Sequence, residues 1–434
     1  MTLPLSTHPL ARPRVILSLL FGLNLITYVG RYLLASLLPL LEKTFAPLSK
    51  EELGYFMPAF LLVFMLSSPL FGVLGDRLPR RILLGAGMLT WGLAAAAGGL
   101  VQSFRQMLVT RAIVGLGQSA YSTITPTLVT DLYPAQERGR ALGVLYASLP
   151  LGGALAYIIG GEVGTRLGWR VAVAGVGLAG LVGGLLIFFI REPTRGAAEG
   201  LDAEALSRYQ GRRLGVAAYA ALLTNPSYLL DTLAMTAYGF AMNGLSYWMP
   251  TFLHLERGLT LEQADLYFGL AAVSMGILGT LGGGWLSDRL AARRPGAHAV
   301  VSGVATLGAF PLLYLLTASK QPMIYWTAMA VAVLLLFVNT GPANTVLANV
   351  VEPRLRATGF ALNTLIVHAL GEMTSPVLIG RVADRSDLGT AFSYTALVIV
   401  VSGLFWLAAA PFVRRDSLRA EAALRARDVD EQAG

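Results

Sequence analysis

The chain has 434 residues, of which 55% are hydrophobic and only 13% are charged, with a mean hydropathy of +0.62. A soluble domain carries about 25% charged residues, so this composition excludes an ordinary soluble protein. The net charge of +8 lies in short loops between apolar runs, which indicates a topology signal rather than a nucleic-acid partner. With no cysteine and four histidines without metal-ligand spacing, we expect no disulfide, no metal and no cofactor.

Apolar runs of membrane-spanning length follow one another along the chain, since about 20 apolar residues cross a bilayer. The first six lie near 15–41, 53–75, 82–101, 104–130, 140–163 and 169–190. The next six lie near 226–253, 262–287, 297–317, 322–350, 357–382 and 388–413. The pattern predicts an all-α polytopic membrane protein with 12 transmembrane helices in two pseudo-symmetric six-helix halves.

The polar segments between these runs predict the domain boundaries and the orientation. We expect an N-terminal half at 1–190, a cytoplasmic linker at 191–213, a C-terminal half at 214–413 and a cytoplasmic tail at 414–434. Of the 33 basic residues, 22 lie in one set of loops and 9 in the opposite set, which places both termini in the cytoplasm. The preference for Arg over Lys, with abundant Ala, Gly and Leu, indicates a bacterial protein of the cytoplasmic (inner) membrane.

Two charged turns occur once in each half. The segment GVLGDRLPRR at 72–81 matches GWLSDRLAARR at 284–294, and ERGRALG at 137–143 matches PRLRATG at 353–359. Charges at these turns can meet helix ends or arginines of the other half and so act as a gate; the alternative is that they only set topology. The candidate gating residues are Asp76, Arg77, Arg80, Arg81, Glu137, Arg138, Arg140, Asp288, Arg289, Arg354 and Arg356.

Three further segments carry a family resemblance. They are YSTITPTLVTDLY at 121–133, NTGPANTVLANVV at 339–351, and RATGFALN at 356–363 running into HALGEMTSPVLIG at 368–380. Together with the repeated turns, they resemble the major facilitator superfamily, and within it the Spinster-like branch, over about 24–384. The resemblance implies two halves related by an axis along the membrane normal. It also implies export of lipids such as sphingosine phosphate or lysophospholipids, often with proton coupling.

Two positions depart from the pattern of that branch. Members carry an acidic residue just before the arginine of helix one, where this chain has Gly30 before Arg31. They carry another acid shortly after a Gly-x-Gly in helix four, near which this chain has Gln118. Neither residue can exchange a proton, so these residues do not support the coupling that the resemblance implies.

Polar residues within the spans are candidates for binding the substrate. Arg31 lies inside the first span, and its guanidinium is suited to an anionic headgroup because it binds phosphate or carboxylate in a bidentate manner. The alternatives are a structural ion pair or a side chain that snorkels to the membrane surface. The other candidates, for which packing is the alternative role, are Asn24, Tyr28, Gln118, Tyr121, Asn243, Tyr247, Trp248, Asn339, Asn344 and Asn363.

Four residues are candidates for coupling. Glu372 and His368 lie one helical turn apart and share a face, so they form either a proton-sensitive pair or a hydrogen-bonded pair that fixes helix packing. Arg111 lies in the fourth span and either supports coupling or caps a helix end. Asp231 lies near the start of the seventh span, either in a transport role or at the membrane interface.

The residues and the resemblance together predict a secondary transporter that works by alternating access. The expected substrate is an amphipathic, anionic lipid-like molecule such as a lysophospholipid or a sphingolipid. The alternatives are a multidrug or small organic-anion exporter, and a membrane sensor or scaffold that binds lipid without transporting it. No nucleophile with a base and an orienting group is visible, so we expect no enzyme. The expected partners are membrane lipids and the substrate, with the protein a monomer that binds no nucleic acid.

Overall fold

The computed structural model describes residues 12–193, 222–294, 296–352 and 355–432. The helices of its first part are α1 Pro13–Thr44, α2 Lys50–Gly54, α3 Phe56–Arg77, α4 Arg80–Gly98, α5 Phe104–Leu132, α6 Ala135–Tyr146, α7 Ser148–Arg166 and α8 Trp169–Ile187. Those of its second part are α9 Pro226–Arg257, α10 Leu261–Ala291, α11 Ala297–Ala318, α12 Pro322–Val338, α13 Thr340–Val350, α14 Arg356–Ile366, a π-helix at Val367–Glu372, α15 Ser375–Arg385 and α16 Leu388–Gln432.

These helices make up 12 spans within the described residues, which confirms the predicted all-helical fold. Ten of the spans are long and apolar enough to cross a membrane by length and composition alone. The other two are α5 and α9, whose sequences are richer in Thr, Ser, Tyr and Asn. A polar membrane helix is expected where it faces other helices or a cavity rather than lipid.

Local signals explain where several helices begin and end. Proline stands at the first turn of α1, α9 and α12, where its missing N–H costs no helical hydrogen bond. Ser103 caps α5 by accepting a hydrogen bond from the Gln106 N–H, and Asn225 caps α9 by accepting one from the Tyr228 N–H. Gly258 ends α9 with φ of 71°, a left-handed conformation that favours glycine.

Two predicted spans are broken by prolines. The span at 322–350 divides after Val338, because Pro342 has no N–H to donate to the carbonyl four residues earlier. The span at 357–382 contains the π-helix, which ends at Glu372. Pro376 has no N–H to donate to the Glu372 carbonyl. The Glu372 carbonyl accepts a hydrogen bond from Asn243 Nδ2 at 2.7 Å instead. Side chains from neighbouring helices thus satisfy a backbone group that the break exposes.

The described residues form two compact units. Unit 1 comprises 12–48, 55–193 and 259–269, and unit 2 comprises 49–54, 222–258, 270–294, 296–352 and 355–432. The short helix α2 therefore belongs to unit 2, and the first turns of α10 belong to unit 1. Residues 194–213 of the predicted linker lie outside the described residues. The tail predicted at 414–434 continues the last helix as far as Gln432.

In unit 1, α1 packs against α7, and α4 packs against both α5 and α8. Trp91 of α4 is fully buried where four helices meet. Two glycines make room for its indole: a Cβ built on Gly30 of α1 would lie 2.5 Å from Trp91 Cζ2, and one on Gly180 of α8 would overlap the ring at Cζ3. Gly117 of α5 makes room for the backbone of α4, since a Cβ built on it would lie 2.5 Å from Trp91 N and 2.8 Å from Trp91 Cβ. Small residues at these positions allow the helices to pack around a large ring.

In unit 2, α16 packs against α9 and α11, and α11 also packs against α12. Trp406 of α16 is fully buried and donates its indole N–H to Asp231 Oδ1 of α9 at 2.8 Å. A second bond joins the same helices, from Ser402 Oγ to the Ala234 carbonyl at 2.8 Å. Helix association in a membrane depends on such close packing and interhelical hydrogen bonds, since lipid supplies little hydrophobic driving force.

Candidate functional site

Two predicted binding residues of unit 1 hold α1 to its neighbours. Asn24 is buried, and its Nδ2 donates to Ser148 Oγ at 2.8 Å and to the Leu145 carbonyl at 3.2 Å. Tyr121 of α5 is fully buried, and its hydroxyl donates to the Leu20 carbonyl at 2.6 Å. These contacts favour the packing role for both residues, because their buried polar atoms already form hydrogen bonds to neighbouring helices.

Arg31 lies in a different environment on the same helix. It is half-buried, and its guanidinium carbon lies 5.4 Å from the centre of the Phe60 ring of α3 and 5.9 Å from that of Tyr32. An arginine within about 6 Å of an aromatic ring gains cation–π stabilisation. Tyr28, also half-buried, lies about one turn before Arg31 on α1. The site therefore combines a positive charge with aromatic surface in an otherwise apolar helix.

Gly30 and Gln118, the two positions where the resemblance led us to expect acids, are buried in unit 1. The Gly30 carbonyl accepts a hydrogen bond from Arg111 Nη1 at 3.2 Å, and the Trp91 indole fills the space where a side chain at position 30 would begin. Gln118 is 2% exposed, and its Oε1 has no hydrogen-bond partner among the described residues. The structure thus gives a physical reason for glycine at position 30: Trp91 leaves no room for a carboxyl group.

A groove of about 300 Å³ lies beside the first turns of α1. Arg14, Leu17, Ser18 and Phe21 line it from α1, and Val144 lines it from α6. Arg14 and Arg31 are 17 residues apart, so the groove begins about 25 Å from Arg31 along the helix axis. The lining offers one cation, one hydroxyl and three apolar side chains, a combination that suits an amphipathic anion.

The inner charged turn of unit 1 is organised around Arg80. Its side chain is 5% exposed and lies 2.5 Å from Asp131 Oδ2 and 3.1 Å from Glu192 Oε1. The Glu192 carboxylate also accepts the backbone N–H groups of Arg80 and Arg81 at 3.1 and 3.3 Å, at the start of α4. A carboxylate at a helix N-terminus is stabilised by the helix dipole. The sequence identified Arg80 but not these two acids, which lie far from it in the chain.

The remaining predicted gating residues are mostly exposed. Arg138 Nε donates to the carbonyls of Thr130 and Tyr133 at 3.1 and 3.2 Å, which ties α6 to the end of α5. In unit 2, Arg289 lies 5.7 Å from the centre of the Trp285 ring. The exposed members are Arg77, Arg81, Glu137, Arg140, Asp288, Arg289 and Arg356. Arg354 and the side chain of Asp76 lie outside what the structure describes.

In unit 2, the predicted binding residues also bond to neighbouring helices. Trp248 donates its indole N–H to the Pro376 carbonyl at 3.0 Å, and Asn363 Nδ2 donates to Thr232 Oγ1 at 3.0 Å. Asn339 Nδ2 donates to Thr306 Oγ1 at 3.3 Å. Together with the bond from Asn243 to the Glu372 carbonyl, the first two bonds join the seventh span to the broken eleventh span. The third joins the tenth span to the ninth. Their role in binding a substrate stays a prediction.

The coupling candidates of unit 2 occupy two separate places. His368 Nδ1 lies 2.9 Å from Glu372 Oε2 within the π-helix, and both side chains are about one-fifth exposed, at 19% and 22%. Asp231 is fully buried, with Trp406 as its hydrogen-bond donor. The i,i+4 spacing therefore does bring His368 and Glu372 together. A π-helix within a span often marks a functional site.

A cluster of opposite charges in unit 2 was not singled out from the sequence. We call Glu51, Arg381 and Asp384 the α2–α15 cluster, after the helices that carry the first residue and the other two. Arg381 binds both carboxylate oxygens of Glu51, at 2.6 and 2.9 Å. The two oxygens of Asp384 accept the N–H groups of Lys50 and Glu51, at 2.8 and 2.9 Å, and so cap α2. Complementary charges at the ends of the second and eleventh predicted spans were the only sequence signal.

No group of three metal-ligating side chains occurs within the described residues. The arrangement of cations, amides and aromatic rings along membrane helices is suited to binding and moving a molecule rather than to bond chemistry.

The family comparison matches residues 20–376 to the Major Facilitator Superfamily. Protein spinster homolog 1 of Xenopus laevis is 32% identical over 446 residues, covering 94% of this chain and 83% of that protein. The human protein of the same name is 32% identical over 442 residues, with the same two coverages. The chain belongs to the Major Facilitator Superfamily, a family of transporters rather than enzymes, and to its Spinster-like branch.

Among solved structures, the fold is similar to that of a bacterial homologue of the human lysosomal transporter Spinster, crystallised in an inward-facing, unoccupied conformation. The TM-score is 0.79, with 21% identity, and the match covers 96% of this chain and 98% of that chain. The D-xylose–proton symporter is also similar, with a TM-score of 0.69 and 15% identity over 90% of this chain and 96% of that chain. These likenesses confirm the predicted 12-helix facilitator fold.

Proposed function

We propose that the protein moves an amphipathic, anionic lipid-like molecule, such as a lysophospholipid or a sphingolipid, by alternating access. The observation that carries the proposal is Arg31, a half-buried cation with aromatic rings beside it in an apolar span. A charge within a membrane helix is expensive to keep, and such residues commonly belong to a substrate pathway. The similarity of the fold to a homologue of a lysosomal transporter supports transport. The substrate class rests on the cation and aromatic rings at Arg31.

In this proposal, Arg31 binds the anionic headgroup and the apolar surface of the helices accepts the hydrocarbon chain. The Arg14 groove adds a second surface of the same mixed chemistry. Phe21 in the groove and Tyr28 are seven residues apart and so lie on one face of α1. A lipid-like substrate could therefore follow the aromatic face that begins in the Arg14 groove. A fully polar anion would gain nothing from the apolar side chains along this path.

The gating part of the proposal rests on Arg80 with Asp131 and Glu192. This network joins the start of α4 to the end of α5 and to Glu192, with both acids less than one-fifth exposed at 14% and 16%. Partly buried ion pairs with two carboxylates on one arginine hold a specific geometry. We propose that rearrangement at the inner turns, with Asp288 and Arg289 as their counterpart in unit 2, accompanies opening to the cytoplasm.

The energy source is a separate part of the proposal. Among the sequence-derived candidates, Glu372 pairs with His368 and Asp231 pairs with Trp406, while Arg111 contacts the Gly30 carbonyl. We propose that the protein acts as a monomer in a bacterial cytoplasmic membrane, with both termini in the cytoplasm. Either facilitated diffusion or ion coupling is compatible with alternating access.

Uptake of a labelled lysophospholipid into sealed proteoliposomes tests the substrate class. We expect saturable uptake by the wild-type protein and its loss in Arg31→Ala, with partial retention in Arg31→Lys because the charge remains but the bidentate fork is lost. Arg105→Ala is a matched control, because Arg105 is an exposed arginine at the start of α5. Unlabelled amphipathic drugs and small organic anions are added as competitors to distinguish the alternative exporters.

Two results would reject the proposal. One is equal uptake by wild type and Arg31→Ala when both proteins are folded and reconstituted at the same density. The other is saturable binding of the lipid to the protein in micelles without any flux into vesicles, which would indicate a lipid sensor. Strong competition by a small organic anion, but not by a second lysolipid, would move the assignment to an anion exporter.

A further inference from the structure

Asp265 is a buried carboxyl group that neither the charged turns nor the candidate site residues include. It is the fifth residue of α10, and its exposed fraction is 0%. Both of its carboxylate oxygens are buried, and neither has a hydrogen-bond partner among the described residues. This differs from Asp231, the other fully buried aspartate of the spans, which accepts the Trp406 N–H.

The surroundings of Asp265 come from α7. A Cβ built on Gly161 would lie 3.0 Å from Asp265 Cβ and 3.2 Å from its Oδ2, so the glycine provides the space for the carboxyl group. The Tyr157 ring of the same helix lies edge-on to the Phe268 ring of α10, with centroids 5.0 Å apart. The carboxyl group is therefore sealed between two closely packed helices of unit 1.

The charged and titratable groups around this carboxyl group offer no compensating cation. Glu262 lies one turn earlier on α10 and adds a negative charge, and Tyr157 on α7 and Tyr32 on α1 are neutral phenols. Arg166 of α7 is 72% exposed and pairs with Glu162 at 2.7 Å. Thr165 and Arg166 face Glu262 rather than Asp265.

An ionised carboxylate in this place would be very costly. Burying a charge without a partner or a hydrogen bond costs far more than burying a polar group, and the group takes up a proton instead. The negative charge of Glu262 at i−3 increases this cost. The packing seen in the structure therefore requires the neutral, protonated form of Asp265. Water reaching the carboxyl group removes the cost and permits ionisation.

The position of Asp265 links this proton to movement. Residues 259–269 belong to unit 1 and the rest of α10 belongs to unit 2, so one helix is shared between the two compact units. Alternating access moves parts of a facilitator against each other around the substrate site. A helix shared in this way changes its contacts during that movement, and the contact of α10 with Gly161 of α7 is the one that keeps Asp265 dry.

We infer that Asp265 is a proton-binding site of the transport cycle, neutral while it is packed against α7 and ionised when that contact opens to water. The inference rests on the proposed transport function and supplies a coupling group in a chain that has Gly30 and Gln118 where the branch pattern has acids. In this cycle the proton is taken up from the outer solution as the contact with α7 closes and is released towards the cytoplasm as the contact opens, so an inward proton gradient drives the conformational change and, through it, substrate flux.

The first test needs no substrate. Infrared spectra of the reconstituted protein at neutral pH are recorded for wild type, Asp265→Asn and Asp387→Asn. We expect the wild type minus Asp265→Asn difference to contain the C=O stretching band of a protonated carboxyl group. Asp387 is exposed, so its difference spectrum should contain the bands of an ionised carboxylate instead. A carboxylate signature for Asp265 would overturn the inference.

The second test measures coupling in proteoliposomes with labelled lysophospholipid, with and without an inward proton gradient. We expect the gradient to stimulate uptake by wild type, Asp387→Asn and Glu372→Gln, and we expect that stimulation to be lost in Asp265→Asn while uptake without a gradient continues. Loss in Glu372→Gln with retention in Asp265→Asn would overturn the inference and assign the proton to Glu372. Absence of any gradient effect in wild type would also overturn it.

Failure of the proposed function is distinguishable from failure of this inference. If wild type takes up no lysophospholipid, the substrate assignment fails, and the infrared comparison still decides whether Asp265 carries a proton. Asparagine has the shape of the neutral carboxyl group, so Asp265→Asn should keep the packing against Gly161. If it does not fold, Asp265→Ser removes the same carboxyl group with a smaller side chain and serves for both measurements.

Discussion

Replacing Gly30 by alanine tests the packing that excludes an acid from the first span. The added Cβ would lie 2.5 Å from Trp91 Cζ2, well inside the contact distance of two carbon atoms. Overpacking of this kind costs about 1–3 kcal/mol, and the better helix propensity of alanine offsets about 0.5–1 kcal/mol. We expect Gly30→Ala to lower the free energy of unfolding by a net of about 1–2 kcal/mol.

The assay is denaturant unfolding in mixed micelles, followed by far-UV circular dichroism. Gly22→Ala is the matched control on α1, because a Cβ at Gly22 meets no atom within 4 Å; we expect it to be neutral or slightly stabilising. Trp91→Phe removes the ring that carries Cζ2, so Gly30→Ala should cost little in that background. If Gly30→Ala is as stable as wild type, or equally costly with and without Trp91, the steric argument is wrong.

Three further predictions concern stability. Arg80→Gln leaves two partly buried carboxylates without their cation and should lower the free energy of unfolding by about 2–3 kcal/mol, below the 3–5 typical of a fully buried pair. Arg81→Gln, at an exposed neighbour, should lower it little. Equal losses in the two variants would contradict the assigned network. Trp406→Phe removes the donor to buried Asp231 and should cost about 1–3 kcal/mol in the same unfolding assay, so an unchanged midpoint would show that this bond is not formed. Arg381→Gln breaks a largely exposed ion pair with Glu51 and should cost under about 1 kcal/mol. A larger loss would contradict the small value expected of an exposed pair.

The spans could be predicted from the sequence because apolar length decides them. The sequence could not predict which of the prolines break a helix. Pro39, Pro69, Pro126 and Pro250 all lie inside continuous helices, whereas the eleventh span is broken at Pro376. At the break, the freed Glu372 carbonyl accepts hydrogen bonds from Ser375 Oγ at 3.3 Å and from Asn243 Nδ2 at 2.7 Å, and Asn243 is 129 residues away in the chain. A sequence pattern contains no information about such a distant partner.

The contacts of the candidate site could also be predicted only in part. The contact of His368 with Glu372 follows from helical spacing and was predicted, whereas the bond from Tyr121 to the Leu20 carbonyl joins residues 101 positions apart and was not. Asp265 was missed although two acids, Glu262 and Asp265, are visible near the start of a predicted span. What the sequence could not show is that glycine on another helix buries it. Burial, rather than residue type, makes this aspartate a candidate.

The break in the eleventh span has a mechanical consequence. No backbone hydrogen bond runs from Pro376 to the Glu372 carbonyl, so the joint between α14 and α15 lacks the stiffness of a continuous helix. Beyond the joint, α15 is fastened to α2 through Arg381 and Asp384. α15 and α2 can therefore tilt together as one lever, while α14 keeps its place. The two parts of this one span can in this way move separately.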